Sequence, residues 1–132
     1  MKLVIGGAYQ GKREFLMQKW NLCEGEIADM ETCMRPDQLS FAADSGIRTI
    51  INYQELVRRQ MEQGLDPEDQ LRQIAGLNPE IILCANEIGM GIIPMNRKER
   101  DFREKCGRTL CFAAQMSDEV WRVICGIGER IK

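Results

Sequence analysis

Lys2-Leu-Val-Ile5-Gly6-Gly-Ala-Tyr-Gln-Gly11-Lys12-Arg13 is the stretch that decides the fold. Lys2 to Ile5 is a short, mainly apolar run ended by two glycines, and an amphipathic segment from Lys12 to about Leu22 follows. That order is strand, glycine loop, helix. Inside it, Gly6-Gly7-Ala8-Tyr9-Gln10-Gly11-Lys12 satisfies G-x-x-x-x-G-K at the place where its chemistry needs it. Glycines let successive backbone N–H groups curl around an anion, the helix N-terminus adds partial positive charge, and a lysine at this position reaches terminal phosphates. The flanking elements favour a phosphate-binding loop over the blander alternative, a tight glycine turn with an incidental lysine.

The next position departs from the pattern. Arg13 stands where a Ser or Thr hydroxyl normally binds magnesium, and a guanidinium is not a metal ligand. The second usual ligand is an acid at the end of a neighbouring strand, yet Thr49-Ile-Ile51 is followed by Asn52 and only later by Glu55. The loop therefore predicts ATP or GTP phosphates on backbone N–H groups and Lys12, with magnesium deprived of its usual contacts.

Outward from the loop, Ile27 and Ala28 read as a weak second strand, and a turn or short helix is expected around Pro36 to Ala43. Ile47 to Ile51, bounded by Gly46, has the composition of a buried strand. Leu56, Val57 and Met61 recur at helical spacing between Tyr53 and Gln63, and Gly64 supplies a C-cap. Asp66 and Pro67 open a helix ending near Gly76, and Glu80 to Ala85 is another buried strand. Asn96 caps a further helix, Glu99 completes a capping box, and Phe102, Cys106, Leu110 and Ala113 form its apolar face. Val120 to Cys125 reads as the final, central strand, with Gly126 and Gly128 punctuating the tail. Strands alternating with helices specify an α/β fold, a mostly parallel sheet covered by helices on both faces.

The chain's 132 residues suit one P-loop nucleotide-binding domain spanning 1–132. With 44% apolar and 29% charged residues, the balance is that of a soluble globular protein. No apolar stretch approaches the roughly 20 residues that span a bilayer, and the N-terminus opens as a strand rather than a signal peptide. The expectation is a cytoplasmic protein without a membrane span. A formal charge of −2 gives no general pull toward nucleic acid. Arg97, Lys98, Arg100, Arg103, Lys105 and Arg108 crowd together but alternate with Glu99, Asp101 and Glu104, so they read either as a solvated helix face or as an anion-binding surface. The six cysteines include no C-x-x-C pair and the chain has no histidine, which excludes zinc-finger and thioredoxin-like patterns. Cys84 and Cys125, in apolar runs, read as small core residues, and Cys23 and Cys33 show no setting for a reactive thiol.

Asn86-Glu-Ile-Gly-Met-Gly-Ile-Ile-Pro94, then Asn96-Arg97, Arg100, Phe102-Arg103, Gly107-Arg108, Asp118-Glu-Val-Trp121 and Gly126-Ile-Gly128, carry a further signal. Together with the N-terminal loop they resemble the adenosylcobinamide kinase/adenosylcobinamide-phosphate guanylyltransferase family of cobalamin biosynthesis. The resemblance implies a RecA-like P-loop domain, a homotrimer, and two reactions: phosphorylation of the aminopropanol arm of adenosylcobinamide, then GMP transfer from GTP through a guanylylated histidine. Carried onto this sequence, Gly6 to Lys12 hold nucleotide phosphates, and Asn86, Glu87 and Gly89 sit at the carboxyl end of a strand, where α/β ligands gather. Glu87 becomes the candidate for contact with metal or the acceptor hydroxyl, with a loop-fixing carboxylate as the alternative. Arg97, Arg100 and Arg103 face phosphate or the corrinoid across a subunit boundary.

Chemistry limits the resemblance. Without histidine, no histidyl-GMP forms. The region between the first helix and Arg35 is also short for the family's second strand and its following helices, and Leu110-Cys111 replaces expected polar residues. Two readings stay open: a kinase in which Lys12 and Glu87 act on adenosylcobinamide, and a non-catalytic relative that binds nucleotide or corrinoid.

Overall fold

The computed structural model describes residues 1–33, 40–44, 46–89, 91 and 94–132. In chain order these form β1 (Lys2–Gly6), α1 (Lys12–Trp20), a 3-10 turn (Glu24–Glu26), β2 (Ile27–Asp29), α2 (Ser40–Ala43), β3 (Thr49–Ile51), α3 (Tyr53–Glu62), α4 (Pro67–Leu77), β4 (Ile82–Asn86), α5 (Arg97–Met116), β5 (Glu119–Ile124) and β6 (Ile127–Arg130). Of the turn or short helix expected around Pro36 to Ala43, only the single helical turn α2 falls within the described residues.

The six strands lie in one sheet, in the order β2-β3-β4-β1-β5-β6. All pairings are parallel except that of β5 with β6. β1 therefore sits between β4 and β5, with Leu3 opposite both Leu83 and Val120. Because successive strand residues point to opposite faces, Leu3, Ile50, Leu83, Ala85 and Val120 face one core, which Tyr53, Leu56 and Val57 of α3, Leu71 and Ile74 of α4, and Phe102, Cys106 and Ala113 of α5 complete. Val4, Ile51, Ile82, Cys84 and Val123 face the other, under Leu16 of α1 and Leu22. Both faces are covered, as buried parallel strands require. Leu16 is wholly buried, a burial worth roughly 1.5–3 kcal/mol, and it seats the helix that follows the glycine loop.

Local chemistry sets the helix ends. Asp66 Oδ1 accepts from Glu68 N at 2.8 Å and Asp69 N at 3.4 Å, with Pro67 at the first helical position. Asn96 Oδ1 accepts from Lys98 N at 2.9 Å to cap α5. Glu99, expected to close a capping box there, instead gives both oxygens to Arg58 of α3, at 2.7 and 3.4 Å. The Arg58 guanidinium also stacks 3.8 Å from the centroid of the Phe102 ring. A long-range guanidinium thus outcompetes a local backbone N–H for this carboxylate.

Two further expectations are corrected. β5 is not the last strand: of the glycines read as punctuation, Gly126 belongs to a tight turn that returns the chain, and Gly128 lies within the antiparallel edge strand β6, opposite Val123. Cys125, expected in the core, is exposed, because it occupies that turn with φ 50° beside Gly126 at φ 79°. Two consecutive left-handed residues fit a two-residue hairpin turn. No helix among the described residues is long and apolar enough to cross a membrane.

Candidate functional site

The glycine loop leaves β1 at Gly6, where a Cβ would stand 2.4 Å from the Val123 carbonyl oxygen, so only glycine lets β1 and β5 approach this closely. At its far end Gly11 has φ 78° and caps α1. A Cβ there would lie 3.0 Å from Gly126 Cα. The hairpin turn between β5 and β6 is thus packed against the loop, and Gln10 ties them together twice. Its side-chain Oε1 accepts from Cys125 N and its backbone oxygen from Gly126 N, each at 2.8 Å. Tyr9, at the loop tip, is fully exposed and left-handed, with φ 58°.

Lys12 is buried beneath this loop. Its Nζ donates to Gly7 O at 2.7 Å, Gly6 O at 3.2 Å and Asn86 Oδ1 at 2.6 Å. An ammonium has three hydrogens, and these contacts use them all. Burial pulls the lysine below its ordinary pKa of 10.5, while the nearby Glu87 carboxylate opposes the shift. Cys84 lies almost wholly buried in the adjacent wall; burial pushes its thiol up to about 12, so it lines the site as a neutral group.

From Lys12 a polar network crosses the carboxyl ends of the parallel strands. Asn86, at the end of β4, donates its backbone N–H to Gln54 Oε1 at 3.0 Å. Buried Gln54 donates to Asn52 Oδ1 at 3.4 Å, and Asn52 Nδ2 donates to Asp29 Oδ1, at the end of β2, at 2.9 Å. Asp29 Oδ2 faces Arg13 Nη1 at 3.6 Å, an ionic contact, and Arg13 Nη2 bonds to Glu24. Arg13 adjoins Lys12 in sequence, so the network closes into a ring around a cavity of about 450 Å³.

Of the residues expected at the site, Ala8, Tyr9, Gln10, Gly11, Lys12, Arg13 and Asn86 line this cavity, and Gly6 and Gly7 supply the carbonyls that hold Lys12. Glu87 points to β5 instead. Arg122 Nη2 donates to Glu87 Oε2 at 3.2 Å, with Nε also 3.2 Å from Oε1 in an ionic contact without hydrogen-bond geometry. Arg97 pairs with Asp101 at 3.8 Å on the exposed face of α5, and Arg100 donates to the carbonyls of Pro94 and Met95. Neither lines the cavity.

Sequence reasoning passed over Asp29, Glu31 and Gln54. The available signal for Asp29 was its place directly after the Ile27-Ala28 pair, at the carboxyl end of a strand. Gln54 had none, since its role depends on α3 turning its first-turn amide onto β4.

Whether the residues present suit a magnesium ion is decided by the donors. Arg13 offers no lone pair. Asp29 Oδ1 already accepts from Asn52 Nδ2 and from Glu31 N at 3.0 Å, and its other oxygen faces a guanidinium. Asn52 turns its amide nitrogen, a donor, toward Asp29. This set does not fit the ion in the usual P-loop position.

A mostly parallel sheet whose first strand runs through such a loop onto a helix, with the loop lysine anchored at the adjacent strand end, defines a P-loop α/β protein. The profile of the family described as cobinamide kinase / cobinamide phosphate guanyltransferase matches residues 18–131, and the chain belongs to that family. It is 43% identical over 74 residues to the bifunctional adenosylcobalamin biosynthesis protein of Salmonella typhimurium strain LT2, and 39% identical over 74 residues to that of Escherichia coli K12. Each match covers 54% of this chain and 41% of the relative's length. The family match begins beyond the glycine loop, so the loop motif itself is not part of that match.

Gln10→Ala removes the acceptor for the Cys125 N–H while leaving the backbone bond to Gly126. Losing one hydrogen bond, worth about 0.5–1.5 kcal/mol, should speed amide exchange at Cys125 several-fold and leave the strand amides of β4 unchanged. Unaltered exchange at Cys125 would show that the side chain does not hold the turn.

Proposed function

We propose that this chain binds a nucleoside triphosphate in the cavity over the glycine loop and acts in cobalamin biosynthesis as an adenosylcobinamide kinase. The observation that carries the reading is Lys12, seated at the head of α1 among the carbonyls of its own loop and ready to exchange one of those acceptors for a phosphate oxygen. Family membership supplies the acceptor class, and both relatives are bifunctional adenosylcobalamin biosynthesis proteins.

In this reading the loop N–H groups and Lys12 hold the terminal phosphates. The acceptor hydroxyl oxygen forms a bond to the terminal phosphorus, the bond from that phosphorus to its bridging oxygen breaks, and the hydroxyl proton is released. Lys12 meets the charge that develops on the phosphoryl oxygens. Glu87 is assigned to orient the acceptor hydroxyl, for which it must turn from its pairing with Arg122 of β5 toward the cavity. Arg97 and Arg100 serve the site only across a subunit boundary, which the reading provides for with a homotrimer, located in the cytoplasm. Light scattering at micromolar concentration checks this, and a strict monomer contradicts it. The second half-reaction by way of histidyl-GMP is left out, since these 132 residues contain no histidine.

One observation favours a second reading, binding without turnover: the guanidinium of Arg13 and the Asn52 amide surround Asp29 where phosphoryl transfer usually places its metal. Calorimetric titration with ATP and GTP, followed by a phosphate-transfer assay on adenosylcobinamide, separates the two. The kinase reading predicts a phosphorylated product, and nucleotide binding without product selects the second. Lys12→Ala should weaken nucleotide binding at least about tenfold, the scale of a lost charge-assisted bond. Unchanged affinity would remove Lys12 from the site.

A further inference from the structure

We infer that the cavity takes its nucleoside triphosphate as the free polyphosphate anion, with the Arg13 guanidinium providing the positive charge that a divalent cation provides in other phosphate loops. The inference rests on the nucleotide-binding reading above and concerns the form in which the nucleotide enters.

Three features carry it. First, Asp29, the strand-end carboxylate, has Oδ1 committed to Asn52 Nδ2 and Glu31 N, while Oδ2 faces the Arg13 guanidinium at 3.6 Å without a hydrogen bond. A cation seated on Oδ2 would have to displace the guanidinium from beside that oxygen. Second, the orientation of Asn52 is set from behind, because its own amide oxygen accepts from buried Gln54. The group facing Asp29 is therefore a donor, not a ligand. Third, Lys12 and Arg13 line the cavity from adjacent positions and set two positive charges at the glycine loop, while the carboxylates of Glu14, Asp29 and Glu31 complete the charged lining.

The same arrangement suits an unmetallated polyphosphate. A guanidinium carries five N–H donors, and Arg13 spends Nη2 on Glu24 and holds Asp29 only by a loose contact at Nη1. Donors remain for phosphate oxygens, and the free triphosphate is more anionic than its magnesium complex. The other carboxylates lining the cavity, Glu14 and Glu31, are exposed. They are the groups through which magnesium would act if the inference fails.

The test is titration of the full chain with ATP and with GTP, in magnesium and in EDTA, at matched ionic strength because screening alters every charged contact. The expected result is an affinity in EDTA equal to or tighter than that in magnesium. Binding at least about tenfold tighter with magnesium overturns the inference and leaves the nucleotide reading standing. Absence of binding in both buffers overturns the nucleotide reading, and the inference with it. Arg13→Ser, which puts a hydroxyl beside Lys12, should weaken binding in EDTA by about tenfold or more, whereas Arg13→Lys, which keeps a cation, should retain metal-independent binding. An Arg13→Ser protein with wild-type thermal unfolding and wild-type affinity in EDTA would also overturn the assignment.

Discussion

The Lys12 ammonium, shared among Gly6 O, Gly7 O and Asn86 Oδ1, is the contact on which the rest of the site depends. It exists only because the sheet sets β4 directly beside β1, so that Asn86 lies in register with Gly6. A buried ammonium without acceptors would be costly to desolvate. Here the loop carbonyls and a strand-end amide supply the acceptors, and the loop is drawn into its curled shape in return. From Asn86 the constraint passes through Gln54 and Asn52 to Asp29, so a single chain of donors and acceptors links β1, β4, β3 and β2 at their carboxyl ends.

Behind the loop, the β5–β6 hairpin does the complementary work. Gln10 accepts from two successive backbone N–H groups of its turn, and Gly6 and Gly11 admit the neighbouring backbone where a Cβ would collide. The C-terminal residues thus brace a loop whose sequence signature lies at the other end of the chain. Family membership and loop geometry come from largely different stretches, since the matched region starts at residue 18. The glycine motif itself therefore lies outside the stretch that shows the family, while the residues that anchor it lie inside.

Much of this was legible in the sequence wherever a local rule sufficed. The strand, loop and helix around Gly6–Lys12, the Asp66-Pro67 helix start and the Asn96 cap each follow from short-range chemistry. What stayed hidden was set by partners distant in sequence. Glu99 is a capping-box residue by spacing, but Arg58, 41 positions away, takes its carboxylate. Cys125 sits in an apolar run, yet the left-handed turn that exposes it is stabilised by Gln10, 115 positions away. Asp29 follows a strand of only three residues, too short for periodicity to register. Arg13 and Asn52 were legible as departures from the P-loop pattern; their joint hold on Asp29 needed the fold to bring β2 and β3 together.

The most direct measurement of the central claim is backbone amide chemical-shift mapping during titration with GTP. Shifts concentrated at residues 8–13, spreading along the network to Asn86, Gln54 and Asn52, are the predicted result. Saturable shifts elsewhere, with the amides of the loop and of Asn86 unmoved, would contradict it.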